Sequence, residues 1–230
     1  KMKKLSYVLL SGLFLSACTQ TEEVKDVNTD VTKDSTEVAT ETEPIVEEEA
    51  KLVLTNFEDY AKLDTRDKVM EHFGAENISN GTSWYGEGSM SYPHSVVTNK
   101  ETGHIVKYLW QEEDSNKLYF MEANYKSYDK DYKVIGTQNL PSATGIRVGM
   151  PIKELLTWNE NKEIKFSGFA WDFHGMVHNS EDGSKLQNCG LRVVMDENAA
   201  EGLSGDMMGD VTLSTSDEAV ISAPIVVGQL

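Results

Sequence analysis

Apolar positions along the chain change their spacing several times, and each change predicts an element. Residues 5–15 (LSYVLLSGLFL) form a predominantly apolar run behind Lys1, Lys3 and Lys4. At about half the roughly 20 residues that a membrane-spanning helix needs, this run reads as a targeting segment. Over residues 19–50 the apolar positions thin out, and 11 acidic and two basic residues mix with Thr, Val and Ser without one aromatic side chain. Such a stretch buries too little apolar surface to offset the entropy of ordering it. An acidic, disordered tether is expected over residues 18–50, with a root-mean-square reach of about 30 Å.

Helical spacing begins at Thr55-Asn56-Phe57-Glu58, which fits a capping box, with Phe57, Tyr60 and Ala61 on one face behind it. A second helix is predicted from about Asp64. Its face is Val69, Met70 and Phe73, and Gly74 is its left-handed C-terminal cap. Strand spacing follows at 92–98, 104–110 and 118–125, broken by turn-forming residues at 99–103 and 114–117. Pro151, in a first-turn position, opens a third helix with Glu154, Leu155 and Leu156, and further strands are predicted at 164–173 and 191–195. The fold class is α+β, with short helices followed by an antiparallel meander. Residues 51–140 make an N-terminal helix-helix-meander half and residues 141–230 a C-terminal helix-meander half. A shift of 86 residues places Val69-Met70 on Leu155-Leu156 and Ile78 on Ile164. The halves therefore read either as two tandem pseudo-repeats or as two ordinary helix-to-strand transitions.

The junction between apolar run and tether carries the first chemistry. Leu15-Ser16-Ala17-Cys18 resembles the lipobox of bacterial lipoproteins. That resemblance implies a signal peptide over residues 1–17, cleavage before Cys18, and a diacylglycerol on the Cys18 thiol. An ordinary signal-peptidase site fits less well, because Leu15 stands where a small residue is required. Since two or more acyl chains make anchoring stable, the expected location is the bacterial cell envelope, lipid-anchored in the outer membrane, with the domain periplasmic or surface-exposed. Gln20-Thr21-Glu22-Glu23 resembles the acidic signal behind the lipidated Cys of some Bacteroidota surface lipoproteins, although a plain solvated linker has the same composition.

Charge and cysteine usage narrow the partners. The net charge is −17; without the leader's +3 and the tether's −9, residues 51–230 carry −11. A field of that sign repels nucleic acid and anionic head groups, so no nucleic-acid partner is expected. With Cys18 taken by lipid, Cys189 is the remaining thiol, and no internal disulfide is available. Packing has to hold the domain, and one of this size buries about 70% of its unfolded surface.

Further resemblance lies in residues 144–150 (TGIRVGM), Glu154-Leu155, and residues 168–175 (GFAWDFHG). Together they resemble a family of lipoproteins from Bacteroidota that brings no activity with it. The resemblance spans about residues 52–230, and G-F-x-W-D is its most specific run. More loosely, the order helix, helix, meander is similar to small outer-membrane assembly lipoproteins and to a proteinaceous β-lactamase inhibitor in which the unit is duplicated. This second similarity implies a protein-binding module rather than an enzyme.

Candidate site residues fall in two stretches. On a strand, Phe169, Trp171 and Phe173 share a face expected to be core, while Gly168, Ala170, Asp172 and His174 share the other. The second face forms either a groove floor where Asp172 orients His174 as an acid-base pair, or a covered surface where both satisfy turn backbone groups. His174 and His178 would lie about 13 Å apart on an extended strand, too far for one ion. No metal or cofactor is expected. Cys189 shares parity with Leu191, Val193 and Met195, which predicts a buried, inert thiol. Neither a G-x-S-x-G elbow nor a phosphate loop occurs. The second stretch holds Tyr125, Tyr128 and Tyr132, interleaved with Lys126, Lys130 and Lys133, a composition that suits a protein or glycan partner. Alternatively, Tyr128 and Tyr132 cap a loop. Trp84, Tyr85, Tyr92, Trp110 and Tyr119 belong to the same aromatic supply, and on the alternative reading Trp110 and Tyr119 are core. The function implied is a non-catalytic binding or interaction module held to the membrane by its lipid. The alternatives are an envelope hydrolase using Asp172 and His174, and a structural subunit of an outer-membrane complex.

Overall fold

The computed structural model describes residues 52–129, 131–169, 173–178, 184–187, 189–196 and 205–230. Helix α1 (Phe57–Tyr60) is one turn long and starts one residue later than its sequence pattern suggests. Its cap is Asn56, whose side chain accepts the Asp59 N–H, while Asp59 accepts the N–H groups of Asn56 and Thr55. Thr65 caps α2 (Arg66–Phe73), and Gly74 ends it at φ 77°. Val69 faces the core, but Met70 turns out to 44% exposure, so the apolar stripe is narrower than expected. Among the described residues no helix is long and apolar enough to cross a membrane.

Strands outweigh helices. After a single 3-10 turn come β1 (Ile78–Tyr85), β2 (Met90–Thr98), β3 (Ile105–Trp110) and β4 (Leu118–Glu122), paired in that order as an antiparallel four-stranded meander. β1 is unexpected, because its ISNGTSWY sequence is polar and contains Asn80-Gly81. Its strand state comes from eight paired positions against β2 rather than from its own apolar pattern. Helices α1 and α2 cover one face of the sheet, where Tyr60, Val69, Val97, Val106, Tyr108 and Trp110 form a buried cluster. Inside that cluster the Trp110 indole donates to Ser95 Oγ at 3.0 Å, and the Tyr108 hydroxyl donates to the Tyr60 carbonyl at 2.9 Å.

The chain then makes the hairpin β5 (Lys126–Tyr128) and β6 (Val134–Thr137), followed by α3 (Ile152–Trp158), β7 (Lys165–Ser167), β8 (Arg192–Met195), β9 (Thr212–Ser214), α4 (Glu218–Ser222) and β10 (Ile225–Gln229). Past Glu122 the chain pairs with β10 instead of continuing along β3. Ala123 and Leu230 exchange two backbone bonds at 3.0 Å, and the Tyr125 N–H donates to the Gly228 carbonyl at 2.7 Å. β10 also pairs with β8, the Met176 bridge joins β8 to residues 176–177, and those join β7 and then β9. Backbone pairing thus runs without a break from β1 to β9. Residues 50–230 form one compact unit with two buried clusters, the second built around Leu155, Ile164, Phe166, Val193 and Val227.

Two strand expectations need correction. The predicted strand 164–173 holds as β7 over three residues and leaves the ladder at Gly168, where a side chain would strike the Gly209 carbonyl and Val211. Phe173 belongs to a turn and is 66% exposed, so it is not a core residue. Gly175 closes that turn at φ 63°, with its Cα so near the Val193 carbonyl that a Cβ has no room. Trp171 and Asp172 lie outside the described residues.

Candidate functional site

Strand parity selects the site. Directly paired positions share a face, so Ser83, Tyr85, Tyr92, His94, Lys107, Phe120 and Glu122 all point away from α1 and α2. A bulge between Leu109 and Trp110 leaves Tyr119 without a partner on β3 and turns it outward, to 56% exposure. Tyr119 is therefore not core, unlike Trp110, which is fully buried. Tyr119 stacks on Tyr92 with ring centres 5.0 Å apart, and Phe120 meets both rings edge-on. Met90 (48% exposed), paired with Tyr85, extends the apolar area at the β1–β2 turn, while Trp84 (67% exposed), paired with Ser91, points to the other side of the same hairpin.

Beside these rings lies a groove of about 680 Å³ whose walls include Trp84, Tyr85, Phe173, His174 and Arg192. At its floor Glu122 accepts the Tyr85 hydroxyl at 2.8 Å and pairs with Lys107 Nζ at 3.2 Å. Burial first, and the Glu122 charge second, push the Tyr85 phenol well above the usual tyrosine range. Arg192 crosses the opposite wall and donates to the His174 carbonyl at 3.3 Å. A second concavity, of about 580 Å³, adjoins the first at Lys107, Glu122 and Asn124, and is lined by Tyr125 and Tyr128. A partly buried ion pair thus lies between two depressions on one sheet face.

The structure disperses the expected site residues. His174 is exposed at the groove mouth. Tyr125 packs over Gly149, and burial raises its phenol pKa, with Asp196 adding to the effect. Tyr128 is half exposed on β5. Tyr132, 88% exposed at φ 59°, sits in the β5–β6 turn closed by Asp129 and lines neither depression. Cys18 lies outside the described residues. The Cys189 thiol is partly buried against the second cluster, and burial raises its pKa, which disfavours the thiolate.

Two serine-histidine contacts were not legible in the sequence. His94 Nδ1 lies 2.8 Å from Ser83 Oγ, and His178 Nε2 lies 3.0 Å from Ser167 Oγ. Each joins residues 11 apart that meet across paired segments, a spacing with no motif signal. Among the described residues neither imidazole receives a carboxylate on its other nitrogen, and burial lowers the His94 pKa. Such pairs fix side chains on the face but lack the third group that orients a catalytic base. Among the described residues no three His, Cys, Asp or Glu side chains converge as a metal site would require.

The class so defined is a strand-dominated domain of mixed helices and antiparallel strands, with an aromatic, open sheet face. Comparison of the chain with protein-family models, curated proteins and solved structures gives no match.

Proposed function

We propose that this protein is a lipid-anchored lipoprotein of the bacterial cell envelope that acts as a non-catalytic binding module through the open face of its sheet. The observation that carries the reading is the composition of that face. Trp84, Met90 and Phe173 are exposed apolar side chains lining a groove that also holds Lys107 and Glu122, and the exposed Tyr119 stacks on Tyr92 next to it. Surfaces rich in Trp, Tyr, Met and Arg and centred on prearranged polar groups are the composition of protein interfaces. The leader, the lipobox at Cys18 and the TGIRVGM and GFAWDFHG runs support membership of the Bacteroidota lipoprotein family and an outer-membrane location.

The two halves are, in this reading, tandem versions of one helix-meander unit. The shift of 86 residues superimposes Val69 on Leu155, both fully buried on their helices, and each half has its own buried cluster.

Site-specific photo-cross-linking in intact cells tests the function. A photoreactive phenylalanine at Tyr119 or Phe173 is expected to capture a discrete partner, and one at Lys153, exposed on α3, is not. Cross-linking from all three positions alike, or from none, refutes the face as the binding surface. Labelled fatty acid is expected to enter the parent chain and not Cys18→Ser; equal incorporation refutes the anchor.

A further inference from the structure

We propose that the hairpin end of the open sheet face recognises a segment of a partner protein that presents arginine or lysine side chains. The proposal rests on the binding reading above and adds the partner's chemistry to it. In an antiparallel meander alternate turns fall at the same end, so the β1–β2 turn (86–89) and the β3–β4 turn (111–117) lie together. Between them stands the Tyr92–Tyr119 stack, at 5.0 Å and 26° between ring planes. Tyr119 offers more than half its surface to solvent because the bulge turns it out of the ladder.

Carboxylates occupy both turns. Glu87 sits on the first turn, and Glu112, Glu113 and Asp114 on the second, all exposed. Asp114 is paired with Lys117 at 3.8 Å, whereas among the described residues Glu112 and Glu113 form no ion pair. Burial first, then the Tyr119 hydroxyl, raise the Tyr92 phenol pKa, and the Glu112 charge adds to the effect. A ring face attracts a cation through its quadrupole, and nearby carboxylates add to that attraction. An anionic partner is repelled by the same carboxylates, as by the chain's net charge of −17. A purely apolar partner leaves the carboxylates facing its surface unpaired. A guanidinium or ammonium group on an extended segment satisfies rings and carboxylates at once.

The test uses the full chain in detergent, with ring-labelled tyrosine read by NMR, and two octapeptides. One alternates arginine with glycine, and the other replaces each arginine by citrulline, which keeps the shape and removes the charge. The arginine peptide is expected to shift the Tyr92 and Tyr119 signals, with affinity falling about tenfold between 50 and 300 mM salt as screening shortens the range of the charges. Tyr119→Ala and Glu112→Gln/Glu113→Gln should each weaken binding at least about fivefold. Glu71→Gln, the loss of an exposed charge on α2, should leave the affinity unchanged. Equal shifts with the citrulline peptide, undiminished affinity in Tyr119→Ala, or equal weakening by Glu71→Gln each overturns the proposal, the last because it reduces binding to general acidity. If Tyr119 and Phe173 still cross-link a partner in cells while the arginine peptide fails, the basic chemistry is wrong and the binding function stands; failure of both removes both.

Discussion

Replacing Glu122 with Gln removes the charge at the groove floor and keeps its shape. Glu122 is 9% exposed, accepts the Tyr85 hydroxyl at 2.8 Å and lies 3.2 Å from Lys107 Nζ. Opposite unit charges at that distance attract by about 1.3 kcal/mol at the dielectric of water and about 5 kcal/mol at an effective dielectric of 20. The Lys107 side chain keeps 26% of its exposure, so water screens the pair toward the lower value, and desolvation of Glu122 offsets part of the rest. A double-mutant cycle of Glu122→Gln and Lys107→Met, read by urea denaturation, should therefore give a coupling of about 1–2 kcal/mol. Alkaline titration supplies a second reading. Because the folded Tyr85 pKa is raised, it contributes stability that is complete below the unfolded tyrosine value of about 10 and is lost as pH rises through the folded value. Without the Glu122 charge the phenol should titrate lower, still above the ordinary value because burial remains, and the alkaline loss of stability should shrink. Ultraviolet difference titration follows the phenol directly. A coupling below about 0.3 kcal/mol together with an unchanged Tyr85 titration would refute the reasoning, since the three groups would then be neighbours without being a unit.

Trp110→Ala should cost about 3–5 kcal/mol, because the side chain is fully buried and bonded to Ser95, whereas Trp84→Ala should stay within about 0.5 kcal/mol; comparable losses in urea denaturation would overturn the burial assigned to the two tryptophans. Asp59 is held far below the usual carboxylate range, by the Lys62 ammonium first and the Thr55 backbone N–H next, against the opposing effect of burial. Its contribution is present above the unfolded Asp value of about 3.9 and is lost as pH falls through the folded one, so Asp59→Asn should flatten the acid limb of the stability curve below about pH 4. An acid limb as steep as that of the parent would show that other carboxylates dominate it. Gly175→Ala should destabilise by more than about 1 kcal/mol, since it combines a positive φ with a clash against the Val193 carbonyl, and a melting temperature equal to the parent's would mean that the turn relaxes freely.

Where the sequence carried a local signal, the element could be read in advance. Gly74 at the end of α2, Pro151 ahead of α3, and the apolar runs of β3 and β4 each act within a few residues of themselves, so one sequence window contains their cause. The mixed helix and antiparallel class followed from those windows. β1 could not be read that way, because a polar strand is stabilised by a partner strand rather than by its own pattern. The site was likewise beyond the sequence. Tyr119 lies in a continuous apolar run that leaves core and surface readings open, and one bulge turns it outward. Phe173 looked buried because a strand was expected to reach it, but the chain turns at Gly168 and Gly175, where close backbone contacts leave no space for side chains. Tyr85, Lys107 and Glu122 stand on three different strands, and only the register of the sheet brings their polar groups within hydrogen-bond distance. Parity along a strand is a property of the sequence, but which strand lies alongside, and where a bulge shifts the register, are set by packing energies summed over the whole sheet.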